Sequence, residues 1–222
     1  MKLKKIASLM LAGVMAVSML AGCGEGSSSS SEPTTPPVTT TGLAAALNNA
    51  RTDYAKNALK LTYEESSSLA EILSTAAHGE LDKTPAGIKK LAGSNCFGNP
   101  NWEGNKPTTI DYSENIRNKI AEKLTGGIES WGTSVPTKNG EYNYARVYLV
   151  GGNWSIEEAA TKISKSNLNA LESNTWLPVS GTNNVATYTA DVAAVKVTSA
   201  DDASVSLWVV AVVYTQTVSD AK

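Results

Sequence analysis

Near its C-terminal end the chain carries two Val-rich runs, VAAVKV (192–197) and VSLWVVAVVYTQT (205–217), with the polar stretch SADDAS between them. β-Branched and aromatic side chains fit a pleated, half-buried surface, and a short polar break between two such runs marks a turn. The pattern predicts a long hairpin of antiparallel strands, and the rest of the fold has to cover it. YNYARVYLV (142–150) predicts a third strand, apolar on both faces and therefore central.

Earlier segments read as helices. Leu43, Ala46, Leu47, Ala50, Tyr54 and Ala58 recur at helical spacing and predict one amphipathic first helix. Thr62 followed by Glu65 has the Ser/Thr-x-x-Glu form of a capping box, and Leu69, Ile72, Leu73 and Ala76 give the apolar face of a second helix behind it. Residues 79–112, including GSNCFGNPNWEGNKPTT, are rich in Gly, Pro and Asn and predict an irregular surface segment. Ile116, Ile120, Leu124, Ile128 and Trp131 predict a third helix, which Gly126-Gly127 weakens or ends. Ser155 with Glu158 forms a second capping box, opening a helix that turns Ile156, Ala159, Ala160 and Ile163 inward. Helices come first and strands collect late, so the expected class is α+β, with helices packed on an antiparallel sheet.

The N-terminal 42 residues follow different rules. Lys2, Lys4 and Lys5 precede the apolar run Ile6 to Leu20, which falls short of the about 20 residues that span a bilayer and has the flanks of a secretory signal. Leu20-Ala21-Gly22-Cys23 resembles the bacterial lipoprotein box, in which the cysteine thiol receives a diacylglyceryl group and the chain is cut just before it. That resemblance implies residues 1–22 as signal peptide and Cys23 as a lipidated first residue. It places the protein at the cell membrane, facing outside the cytoplasm. From Gly24 to Gly42 the only large apolar side chain is Val38, too little to offset the entropy of ordering, so residues 23–42 are expected to form the lipidated end and a disordered Ser/Thr/Pro tether. Residues 43–222 remain as a single globular domain.

Composition narrows the function. The three lysines before Cys23 leave 16 basic and 21 acidic side chains after it, a net charge of -5 against -2 for the whole chain. A nucleic-acid partner, which would require a basic face, is not expected. Cys96 is the second of only two cysteines, so acylation of Cys23 removes any intrachain disulfide, and a Cys-rich metal site is excluded. His78 is the single histidine, which excludes a site built on two imidazoles. No G-x-S-x-G elbow and no D-x-D-x-D-G loop occurs. No catalytic residue, metal or cofactor is therefore assigned.

The run LNNARTDYAKNALKLTYEESSSLAEILSTAA resembles the opening of the CAP superfamily, the cysteine-rich secretory, antigen-five and pathogenesis-related proteins. YARVYLVGGNWSIEEAATKISKSNLNAL followed by VAAVKVTSADDASVSLWVVAVVY is similar to that family's later half. The resemblance covers about two thirds of the domain, discontinuously. It implies an α-β-α sandwich with a surface cleft which, in many members, holds two His and two acidic residues around a divalent metal. Here His78 falls in the first histidine's neighbourhood, but Asn167 or Asn169 stands where the second would be, and the strand at Ala145 to Val147 lacks the family's Glu-Asn pair. Glu114, in Ser113-Glu114-Asn115-Ile116, reads as a first-turn acid favoured by the helix dipole.

Three functions follow from these features. The first is a membrane-anchored binding or interaction module for a protein or cell-wall ligand, a degenerate CAP-like domain, with His78, Trp102, Glu114, Trp154 and Trp176 as candidate cleft or binding residues; the tryptophans fall in expected loops. The second is an extracellular or cell-wall hydrolase using Glu157 and Glu158, or Asp201 and Asp202, although adjacent helical residues do not face one another. The third is a structural subunit of a surface assembly, favoured by an open sheet edge.

Overall fold

The computed structural model describes residues 42–80, 84–91, 111–130 and 132–221. Cys23 and its tether, Cys96, Trp102 and Trp131 lie outside the described residues. In chain order the elements are α1 (Leu43–Ala50), α2 (Asp53–Asn57), β1 (Tyr63–Glu65), α3 (Ser67–Glu80), α4 (Pro85–Leu91), β2 (Asp111–Tyr112), α5 (Glu114–Ala121) and β3 (Gly140–Gly151). They continue with α6 (Ile156–Ile163), a π-helical turn (Ser164–Leu168), α7 (Asn169–Leu171), β4 (Asn184–Thr198) and β5 (Ser206–Asp220). The fold is α+β. Among the described residues no helix is long and apolar enough to cross a membrane.

The described strands form one sheet in the order β1-β4-β5-β3-β2. β5 is its axis, paired antiparallel with β4 from Ser206↔Thr198 to Asp220↔Asn184 and with β3 from Leu207↔Gly151 to Val218↔Gly140. The expected hairpin is present and longer than read. β4 starts at Asn184, because Ala186, Tyr188 and Ala190 alternate with exposed Val185, Thr187 and Thr189 in the period of a half-covered strand. The antiparallel expectation needs one correction: β1 pairs parallel with β4, Tyr63 opposite Ala190 and Glu65 opposite Val192. The sheet is mixed.

β3 has the two-residue β2 beside it only at Tyr148 and Leu149. Beyond that pair its edge carbonyls are met by other groups: the Ser113 amide donates to Val147 O (3.1 Å), Arg117 Nε to Ala145 O (3.1 Å), and the Glu129 amide to Asn143 O (2.7 Å). An exposed strand edge is a template for pairing with another chain, and here the α5 segment occupies it.

Strand alternation divides the interior in two. On one face Trp208, Val210, Val212 and Tyr214 of β5 meet Leu43 and Leu47 of α1 and Ile156, Ala159, Ala160 and Ile163 of α6. On the other, Leu207, Val209, Ala211 and Val213 meet Leu69, Leu73 and Ala77 of α3, Ile88 of α4, and Ile116 and Ile120 of α5. Helices thus cover both faces, in three layers. The second core is aliphatic, whereas the first also takes in Tyr63, Tyr144, Tyr148, Tyr188 and Tyr214.

Several helix boundaries differ from expectation. The first helix is two: the chain leaves helical geometry at Arg51 (ψ 145°) and Thr52 (ψ 164°), and the Thr52 hydroxyl caps α2 by accepting from the Ala55 amide at 3.0 Å. Apolar spacing ran through a cap that the Thr52-Asp53 pair had announced. Thr62 and Glu65 do not form a capping box; Tyr63–Glu65 is β1, and Ser66 caps α3 by accepting from the Leu69 amide at 3.3 Å. Within the segment read as irregular, Pro85–Leu91 is α4, anchored by fully buried Ile88 and capped by the Thr84 hydroxyl, which accepts from the Gly87 amide. α5 stops at Ala121, before Leu124 and Ile128, and the chain turns at Gly126 (φ 84°) and Gly127 (φ 69°). The capping box of Ser155 and Glu158 is present in both directions, at 3.2 and 3.1 Å.

Candidate functional site

Of the residues singled out from the sequence, those within the described residues do not converge. His78 lies in the last turn of α3, half-buried, with Nδ1 2.7 Å from Ser74 O. Glu114 is the first residue of α5, behind the Ser113 cap, and its exposed carboxylate pairs with Arg117 at 3.2 Å. Both belong to the layer over the aliphatic core. Trp154 lies on the opposite side of the sheet and is not an exposed loop residue: it is 7 % exposed, packed in the tyrosine-containing core, and its carbonyl accepts from Trp208 Nε1 at 2.9 Å. Trp176, 40 % exposed, stands in the loop between α7 and β4.

Asn167 and Asn169 are on the π-helical turn and α7, across the sheet from His78. Asn169 Oδ1 accepts from the Ser164 hydroxyl at 3.1 Å. Glu158 is engaged in its capping box, and Asp202 Oδ1 accepts from the amide and hydroxyl of Ser204 within its own turn. Among the described residues no three His, Cys, Asp or Glu side chains gather where they could hold a metal ion.

The structure instead assembles a polar cluster inside the tyrosine-containing core. Tyr63 of β1 and Tyr214 of β5 project to the same side of the sheet, their hydroxyls 2.9 Å apart and their rings edge-on at 6.2 Å. Glu172, directly after α7, reaches down between them. Both hydroxyls donate to its Oε1, that of Tyr214 at 3.3 Å, while Oε2 is buried without a hydrogen-bond partner among the described residues. Glu172 is 2 % exposed.

Burial disfavours the charged carboxylate and pushes Glu172 up to about 7, against the pull of the Tyr214 hydrogen bond and of the Arg51 charge. Burial, together with the neighbouring Glu172, likewise holds the Tyr214 hydroxyl well above its ordinary value. Arg51 stands at the α1–α2 junction and donates to Asn48 O (2.9 Å) and to Leu61 O. Beside it the Asn48 side chain brackets Tyr63, and Thr52 Oγ1 donates to Glu172 O at 3.5 Å. A second set of hydrogen bonds lies further along the same face: Tyr144 OH donates to Gln216 Oε1 (2.9 Å), Gln216 Nε2 to Tyr188 OH (2.5 Å), and Tyr188 OH to Pro178 O (2.8 Å).

Glu172 escaped the sequence reading because no motif surrounds it. A weak signal did exist, since between Lys165 and Asp191 it is the only Asp, Glu, Lys or Arg. A lone acid in a stretch otherwise free of charge has no local partner and must find one through the tertiary fold.

At the surface, a groove of about 390 Å³ runs between α3 and α5. Ile72 and Ala76 contribute apolar surface to it, with Glu71 of α3 and Lys119 and Lys123 of the α5 segment as its charged members. Comparison with protein-family models, with curated proteins and with solved structures returns no match, so the geometry of these sites carries the functional argument by itself.

Proposed function

We propose that this chain is an extracytoplasmic lipoprotein, held at the cell membrane through Cys23, whose folded domain acts by binding a protein or cell-wall ligand rather than by catalysis. The anchor rests on the ordered series of basic start, short apolar run, Leu20-Ala21-Gly22-Cys23 and Ser/Thr/Pro-rich segment. The observation that carries the binding reading is the separation of chemistry from surface. Glu172, whose carboxyl burial raises to about 7, is sealed under two tyrosine hydroxyls, while the α3–α5 groove offers apolar contact between charged side chains. Helices on both faces of a central sheet are consistent with the α-β-α sandwich that the CAP resemblance implies.

Two measurements test this reading. Cys23→Ala should remain uncut and take up no labelled palmitate, and normal maturation of that variant would end the lipoprotein assignment. Binding is tested by co-sedimenting the full chain with purified cell-wall material and by cross-linking on intact cells. Ile72→Glu should weaken the interaction without lowering the melting temperature by more than a few degrees. Release of soluble wall fragments by the purified chain would replace binding with hydrolysis.

A further inference from the structure

We propose that Glu172 is a proton-operated latch: protonated, its carboxyl holds the segment Glu172–Leu177 against the β1–β5 face of the core, and ionised, it lets that segment swing out to water. The inference is independent of the lipid anchor and of any ligand in the α3–α5 groove.

The segment is joined to the preceding turn by backbone hydrogen bonds, Glu172 N to Leu168 O (2.7 Å) and Ser173 N to Leu171 O (2.8 Å), and Leu177 packs in the core; its side-chain ties to other elements are neutral hydroxyls. Tyr54 OH donates to Asn174 Oδ1 (3.1 Å) and Leu177 O (3.0 Å), Thr52 Oγ1 to Glu172 O, and Tyr188 OH to Pro178 O just beyond. None of these contacts changes its charge near neutral pH. Glu172 is the only carboxylate, histidine or basic residue between Lys165 and Asp191, so the charge of this segment is set by one proton.

The groups that face Glu172 come from several elements. Tyr63 of β1 and Tyr214 of β5 both address Oε1, and Tyr148 of β3 acts on Tyr214. Arg51, at the α1–α2 junction, attracts the carboxylate while its own guanidinium donates to the carbonyls of Asn48 and Leu61.

An ionised carboxylate has about four acceptor sites and is costly to bury unless donors fill them. Here two hydroxyls converge on Oε1, and Oε2 has no donor among the described residues. With Oε2 buried and unsolvated, the charged carboxylate costs more here than the neutral acid. Loss of the proton leaves a charge that water would solvate better, and the segment bearing it is short, with Trp176 already at its exposed edge. Opening would uncover the Tyr63 and Tyr214 hydroxyls and lift Leu177 out of the tyrosine-containing core.

The test is amide hydrogen exchange of residues 172–177 in the full chain, corrected for the intrinsic pH dependence of exchange. If the closed segment holds its proton to about 7 and the open one releases it near 4.5, the opening equilibrium should rise about tenfold between pH 6 and pH 8.5. The same rise should be absent in Glu172→Gln, which keeps the shape and cannot ionise. As a second measurement needing no variant, the side-chain carboxyl carbon of Glu172 should titrate by NMR with a midpoint far above that of an exposed glutamate, and Tyr214→Phe should move the midpoint further up. An ordinary midpoint, or equal protection at the two pH values, would overturn the latch. So would an undiminished pH response in Glu172→Gln.

Discussion

The side-chain amide of Asn48 brackets the backbone of Tyr63, with Nδ2 donating to Tyr63 O at 2.9 Å and Oδ1 accepting from Tyr63 N at 3.0 Å. On its other side β1 is paired with β4, so an amide from α1 takes the place that another strand would have. The contact also ties α1 to the strand that carries one of the two hydroxyls on Glu172. Asn48→Ala should cost about 2–3 kcal/mol in urea unfolding, because a donor and an acceptor beside a buried tyrosine lose their partners together. Asn48→Asp keeps only the acceptor and should fall between alanine and the parent. A loss below 0.5 kcal/mol, on the order of an ordinary surface change, would mean that water replaces the amide there.

Global stability should depend on pH through Glu172 with a defined sign. In the unfolded chain the carboxyl ionises near 4.5 and in the folded protein near 7, so between those values the folded state binds more protons. Stability from this group is therefore complete below about pH 4.5, falls as pH rises, and is gone above about 7, a change of about 3 kcal/mol. The stability difference between the parent and Glu172→Gln should shift by that amount between pH 4.5 and 8, in favour of the variant at the alkaline end. Parallel pH curves for the two proteins would contradict it.

A smaller effect of the same sign is expected at Asp191. Partial burial and the neighbouring Glu64, its register partner across the parallel β1–β4 pair, both raise the Asp191 carboxyl. Raising an acid's value in the folded state makes ionisation destabilising, so stability is lost as pH climbs through it. Like charges opposite one another on adjacent strands cost about 0.2–1 kcal/mol. Asp191→Asn should raise the melting temperature by about 1–2 °C at pH 8 and change nothing at pH 3. An increase of equal size at both values would point to packing instead.

Two glycines should respond oppositely to alanine. A Cβ on Gly152, where the chain leaves β3 and its amide donates to Ser206 O at 2.8 Å, would stand 2.6 Å from the Ser206 carbonyl carbon and 2.2 Å from its Oγ. Gly152→Ala forces the β3 and β5 ends apart and should cost about 1–3 kcal/mol or more. Gly79, exposed near the end of α3, has no atom of another described element within 4 Å of an added Cβ. Gly79→Ala should stabilise by about 0.5–1 kcal/mol, since alanine loses less backbone entropy in a helix. Thermal unfolding of both variants side by side checks the pair.

Elements whose signal lies within one turn or one strand were legible in the sequence. The Ser155–Glu158 capping box joins residues three apart, and the β4–β5 hairpin is written in adjacent Val-rich runs. The inward residues of α6 followed from spacing alone, as did Leu69, Leu73 and Ala76 of α3, whereas Ile72 is only partly buried and buried Ala70 and Ala77 were not read. Spacing failed where a local cap competed with it, as at Thr52, where apolar positions continue across a break. It failed at β1 too, because three residues carry no period and Tyr63–Glu65 is a strand only through pairing with β4.

What the sequence determined by itself was the class of fold, the helical and strand faces, and the charge and residue counts that leave one histidine and two cysteines. Which side of the sheet each helix covers was a tertiary decision, and it separates His78 and Glu114 from Trp154. The polar cluster was another: residues 63, 172 and 214 meet only because β1 and β5 lie in one sheet and the chain after α7 crosses above them. Periodicity reports which residues turn inward on each element. The partner a buried charge finds there depends on how those elements pack, and for Glu172 that partner lies 42 residues away at Tyr214 and 109 away at Tyr63.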